Sequence, residues 1–232
     1  MANVSVNNKP TETLFMEEFY WFGNPDSVYW ILSPRFMVKP FQKLNTPEKI
    51  QTYLDSIPFN YEKNGETCMS PESVLKEKKA HCIEGAMLAA AALKETGQKP
   101  LVMSLKVKGE DYDHVVALYK RNGYWGAISK TNHAVLRYRD PIYKTIRELA
   151  LSYFHEYFLT KNGEKTLVGF SRPINLNRFG KNWINAKTDL WKIAETIFDM
   201  KHESIIPKKN QKYIRKASKV EREAASIKEW GK

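Results

Sequence analysis

Residues 70–102 read SPESVLKEKKAHCIEGAMLAAAALKETGQKPLV, and three local signals divide this run. Ser70, followed by Pro71 and Glu72, is a helix start: a hydroxyl to cap free N–H groups, a proline for the first turn and an early acid. The spacing predicts a short helix over residues 71–78. Residues 82–95, CIEGAMLAAAALKE, are strong helix formers, with Gly97 placed to end the element. Small residues cover this helix all round, so neighbours pack on more than one side of it. LVMSLKV at 101–107 then changes the period to that of a strand.

Cys82 opens the predicted helix. The free N–H groups and the dipole of a helix N-terminus favour negative charge, which lowers a thiol's pKa and makes thiolate available. The same N–H groups can stabilise an oxyanion on a carbonyl under attack. Lys76, Lys78 and Lys79 precede the cysteine and add positive potential. Cys68, by contrast, has the context of an ordinary buried thiol, and two cysteines without CxxC spacing support neither a disulfide scaffold nor a zinc ribbon.

Downstream, DHVVALY (113–119), the turn signal KRNG (120–123) and YWGAIS (124–129) predict two further strands. A helix followed by three sequential strands implies an antiparallel sheet packed on the Cys82 helix, hence an α+β fold. A thiol nucleophile needs a base oriented by a third group. His81 is expected to point away from its neighbour Cys82, and His155 and His202 fall on predicted late helices. His114 opens an apolar strand and is the best-placed base. A four-residue loop sets His114 opposite Ser129, and a two-residue Asn-Gly turn sets it opposite Thr131. Alternation keeps both on the His114 face in either register. Ser129 is the first candidate for the third member, and Asn132 the second if the strand bends.

The run 70–102 resembles the core of transglutaminase-like proteins, papain-related thiol enzymes: a short helix, a small-residue turn, the nucleophilic Cys, a helix rich in Ala and Leu, a Gly and a strand. DHVVALYKRNGYWGAIS resembles their second block, in which His opens a strand and a Trp follows the turn shortly before an acid. The resemblance spans about residues 68–132. It implies Cys82 as nucleophile, His114 as base and Trp125 as the strand aromatic, a candidate substrate-binding residue, in a fold with an N-terminal Cys-bearing helix on a small antiparallel sheet plus extra helices. It further implies a peptide or small amide substrate and no cofactor. The chain departs from the pattern at Ala80-His81, where the family carries Gly, and at Ser129, where it carries Asp.

The 232 residues, 42% hydrophobic and 27% charged, suit one globular domain with appendages. Residues 1–12 read as a loose N-terminus, 13–200 as one α+β domain and 201–232 as a basic helical tail. Aromatic-rich residues 13–40 are expected to pack on the core. Further helices are predicted over 46–57, 141–158 and 183–200. In the tail, ten Lys and Arg face four Glu, within a net charge of +11; this invites an acidic partner or nucleic acid, though the pattern equally suits a solvated helix. Arg137 and Arg139 could bind a substrate carboxylate or phosphate, or join Asp140 in a surface turn. No segment reaches the length of a membrane span and no secretory leader is evident, so a cytoplasmic address is expected. A metal site drawn from Cys82, His81, His114 and His133 lacks ligand spacing, and there is no P-loop or GxGxxG. Three classes therefore remain: a thiol hydrolase or acyl transferase, a binding module that keeps the fold without catalysis, and a nucleic-acid-associated protein.

Overall fold

The computed structural model describes residues 41–229; the readings made for residues 1–40 lie outside them. Helix α1 spans Pro47–Ser56, with the Thr46 hydroxyl accepting from the Lys49 N–H. Helix α2 spans Pro71–Glu77, capped by Ser70 and ended by Lys78 at φ 52°. Helix α3 spans Cys82–Glu95, and every residue from Ile83 to Leu93 is buried. The small side chains of α3 let Ile50 and Leu54 of α1, Val74 of α2 and the sheet close on it together.

The sheet has seven strands: β1 (Leu101–Val107), β2 (His114–Arg121), β3 (Tyr124–Ile128), β4 (Arg139–Tyr143), β5 (Leu167–Ser171), β6 (Ile174–Asn175) and β7 (His202–Ser204). The order is β4-β3-β2-β1-β5-β7, with β6 also on β1, and every pairing is antiparallel. The architecture is α+β, with a larger sheet than the sequence suggested. The Cys-bearing helix is the third described helix rather than the first. Alternation divides the core. Val102, Val115, Ala117, Tyr119 and Ile128 face α3. Met103, Leu105, Val116, Leu118 and Ala127 face the opposite layer, which contains Leu149, Tyr153 and Tyr157.

The β2–β3 hairpin turns on Asn122-Gly123 alone, at φ 50° and 89°, with Arg121 opposite Tyr124. Positive φ at both positions is the two-residue type I′ solution that matches strand twist. At the other end of the hairpin, regular pairing stops at Ala117–Ile128. There the Gln51 side chain of α1 replaces the ladder: its Oε1 accepts from the Ser129 N–H at 3.0 Å and its Nε2 donates to the Ser129 carbonyl at 2.9 Å. Lys130, fully buried, donates to the carbonyls of Leu54 and Ile57 at the end of α1. Its stem lies against Gly85, where a Cβ would come within 2.4 Å of the Lys130 Cβ. Segment 129–130 is thus held between α1 and the first turn of α3.

Three predicted elements differ. The helix read over 141–158 is strand β4, then helix α4 (Ile146–Leu151, capped by Thr145) and a short 3-10 turn at Phe154–Glu156. Pro141 is not a helix start but part of the edge strand β4, where a missing N–H costs least. Of residues 183–200 only Trp191–Asp199, helix α5, forms a regular α-helix. The preceding segment is instead tied to the start of α2: Asp189 accepts from the Cys68 N–H, Leu190 N–H donates to the Cys68 carbonyl and Ser70 donates to the Ala186 carbonyl. Segment 201–229 is not a single helix: β7 adds to the sheet, a 3-10 stretch covers Lys208–Tyr213 and helix α6 spans Lys219–Ala225. No helix among the described residues is long and apolar enough to cross a membrane.

Candidate active site

Cys82 is the first residue of α3 and is half-buried. Its thiol is surrounded by two imidazoles. Burial opposes its ionisation, yet hydrogen bonds from His114 and then His81, with their charges, bring its pKa down to about 5. Positive charge therefore comes chiefly from these rings rather than from Lys76, Lys78 or Lys79. His114 is the first residue of β2 and is buried. By alternation it belongs to the sheet face opposite α3. It contacts the Cys82 thiol from the first position of β2.

The His114 ring is fixed by Ser129, with Oγ 2.7 Å from Nε2. The Ser129 hydroxyl also donates to the Leu136 carbonyl at 2.6 Å. A hydroxyl has one proton and a carbonyl can only accept. Ser129 therefore accepts from Nε2–H, which leaves Nδ1 of His114 as the proton acceptor. Leu136 sits at φ 63°, a costly conformation for a branched side chain. Glu156 holds it there by accepting from the Leu136 N–H at 2.7 Å, and Arg139 pins Glu156 at 2.6 Å.

His81, expected to face elsewhere, lies beside the thiol. Its Nε2 is 3.0 Å from the Thr67 carbonyl, 3.4 Å from Glu84 Oε1 and 3.6 Å from Glu62 Oε1. Burial disfavours a charged His81, but the Cys82 contact, followed by Glu84, raises its pKa to about 9. Glu84 is fully buried and accepts from the N–H groups of Met69 and His81 and from the side chains of Thr67 and Asn60. The two imidazoles thus have unlike supports, carboxylates behind His81 and a neutral hydroxyl behind His114.

The other candidates separate. Asn132 does not meet His114; its Nδ2 donates to Tyr61 Oη at 2.9 Å. Trp125 lies at the hairpin end of β3, four residues and about 13 Å from Ser129, under Lys120 Nζ at 5.1 Å. Arg139 is occupied by Glu156, Ser152 and the Tyr153 ring at 4.0 Å. Arg137 pairs with Asp55 at 3.3 Å and Glu229 at 2.8 Å; Asp140 is a partner of neither arginine. His133 bridges to Lys228, and His202 lies in β7 beside Ser104. Among the described residues no group of three His, Cys, Asp or Glu side chains is arranged to hold a metal ion. A groove of about 820 Å³ between α2 and residues 187–189 approaches the site only through Thr67 and Met69. Sequence reasoning missed His81, Gln51, Glu84 and Glu156. His81-x-x-Glu84, at the spacing from cap to third helical position, was the one local signal available.

No curated protein matches the chain. The model of a family described as a transglutaminase-like domain matches residues 29–146, slightly more than half of the 232 residues, and the matched span contains Cys82, both flanking histidines, Ser129 and the helix–sheet frame that holds them. The chain belongs to the transglutaminase-like family.

Proposed function

We propose that this protein is a thiol enzyme acting on the carbonyl of an amide or peptide bond, with Cys82 as nucleophile, His114 as base and Ser129 as the group that orients His114. The observation that carries this reading is a thiol at the first turn of a buried helix, brought to about pH 5 by two imidazoles. The thiol proton passes to imidazole, and Sγ adds to the carbonyl carbon. The first-turn N–H groups of α3 lack intrahelical partners and can receive the oxyanion. Collapse breaks the C–N bond, the imidazolium protonates the departing amine, and a thioester remains on Cys82. Water or a second amine, losing a proton to His114, then takes the acyl group. His81, cationic below about pH 9, holds the thiolate charge without having to move a proton in each cycle. Carboxylate support behind His81 and hydroxyl support behind His114 suits this division: one ring stays charged and the other changes state.

The test is labelling with a weakly reactive chloroacetamide probe followed by peptide mapping. At pH 5, label is expected on Cys82, absent in Cys82→Ala and reduced roughly five- to fiftyfold in His114→Ala, the loss of thiolate that a rise of about 1–2 pH units brings. Equal, slow labelling of Cys68 and Cys82 would contradict the reading and favour a binding module that has kept the fold.

A further inference from the structure

The C-terminal segment folds back onto the loop that carries the site. The Ala134 N–H donates to the Ile227 carbonyl at 3.0 Å, and the Glu229 N–H donates to the Asn132 carbonyl at 2.6 Å. His133 and Lys228 form the antiparallel bridge between these bonds. The Glu229 carboxylate continues the contact: Oε1 accepts from Arg137 at 2.8 Å, while Oε2 is buried without a hydrogen-bond partner among the described residues. Residues 227–229 thus lie as a short added strand whose acidic side chain seats on an arginine.

This edge adjoins the thiol site from two directions. Asn132 is three residues, or about 10 Å of extended chain, past Ser129, and Ser129 bonds His114. The Asn132 side chain reaches Tyr61, in a segment tied to Ala80, two residues before Cys82, by Asn60 N–H to Ala80 carbonyl at 3.0 Å. A chain laid along 132–134 therefore runs beside the ring formed by segments 58–61, 80–82 and 129–132. Main-chain pairing supplies affinity with little sequence demand, and a side-chain pocket supplies selectivity. Here the selective group is Arg137, whose guanidinium can take a carboxylate.

We propose that the edge Asn132–Ala134, with Arg137, is a peptide-binding subsite for extended chains carrying an acidic side chain, and that residues 227–229 of the same chain are its resident occupant. Calling the incoming peptide a substrate rests on the thiol reading above; the subsite itself does not. An occupant attached to the same chain competes at an effective concentration in the millimolar range, so a free peptide of about 100 μM intrinsic affinity is weakened roughly tenfold.

The test uses the full-length chain in a Cys82→Ala background and a labelled peptide copying residues 224–232, AASIKEWGK. Glu229→Pro removes both the N–H donor and the carboxylate of the occupant. Fluorescence anisotropy is expected to show the peptide binding this variant at least tenfold more tightly than the unaltered tail. A peptide with Lys at the Glu229 position is expected to lose that gain, and Arg137→Glu is expected to restore binding of the Lys peptide. Equal affinity for the altered and unaltered tails, in the presence of native circular dichroism, would overturn the proposal. Alkylation of Cys82 by iodoacetamide separates the two readings. A sluggish thiol with tight peptide binding would remove the enzyme and leave the subsite standing, and a reactive thiol with no tail-dependent binding would do the reverse.

Discussion

The two cysteines lie fourteen positions apart in sequence and meet opposite environments. Cys68 is fully buried, and burial, with Glu84 adding to it, pushes its thiol up to about 12. Cys82 also lies against the core, but hydrogen bonds from His114 and His81 overcome the cost of burial and bring it to about 5. The backbone of Cys68 is fully employed, its N–H on Asp189 and its carbonyl on Leu190. Cys82 heads a helix, whose first-turn N–H groups have no intrahelical carbonyl to bond. Glu84 acts in both directions: it opposes charge on Cys68 and favours it on His81. Placement at a helix end and the identity of two neighbours, rather than depth, decide which thiol ionises more readily.

The largest expected effect comes from erasing that difference. In the folded protein at pH 7, Cys82 should be alkylated about 10³-fold or more faster than Cys68, since thiolate is the reactive form. In 8 M urea both should react at one common rate, Cys82 more slowly in proportion to its lost ionisation and Cys68 faster. Quenched-flow alkylation with mass detection measures all four rates. A preserved ratio in urea would place its origin in local sequence rather than in the fold.

Next come the imidazoles. His114→Gln should raise the Cys82 midpoint by about 1–2 pH units, the size of a lost opposite-charge contact; His81→Gln should raise it as well, because both histidines lower it. Alkylation rate against pH checks both. The sign follows from the depressed thiol: thiolate is retained above about pH 5 in the native protein and is lost as pH falls through that value. The imidazolium of His81 is present below about pH 9 and lost above it. The Cys82–His81 ion pair therefore occupies the interval between; His114→Gln should narrow it from the acid side, whereas His81→Gln removes its cation altogether.

A smaller effect tests the frame. Gly85→Ala drives a Cβ into the Lys130 stem, which should cost about 1–3 kcal/mol by urea denaturation, as overpacking does. Because Lys130 follows Ser129, the same change should slow Cys82 and leave Cys68 untouched. The smallest concerns Arg121 and Glu48, an exposed pair at 2.6 Å remote from both thiols. Arg121→Ala should cost about 0.5 kcal/mol or less and change neither alkylation rate.

The parts legible in sequence were those fixed by local chemistry. Helix 82–95 announced itself through Ala, Leu and a terminal Gly97, and the β2–β3 hairpin through Asn122-Gly123. The His114–Ser129 bond followed from strand parity, which survives either register. What sequence concealed depended on distant partners. Pro141 suits a helix start and an edge strand alike, and only pairing with β3 decided between them. Gln51 completes the sheet from a position 78 residues away, and Glu156 fixes Leu136 across a loop. The position of His81 was hidden because adjacency to Cys82 does not say where two consecutive side chains point. His81 is extended and Cys82 is the first helical residue, so the alternation of an extended chain does not continue across the pair.

The most direct test of the central claim is a thiolate titration by absorbance at 240 nm in Cys68→Ser, which leaves Cys82 as the one thiol of the chain. A midpoint near pH 5, moving upward in His114→Gln, is the predicted result. A single midpoint at pH 8 or above, indifferent to His114 and His81, would contradict it.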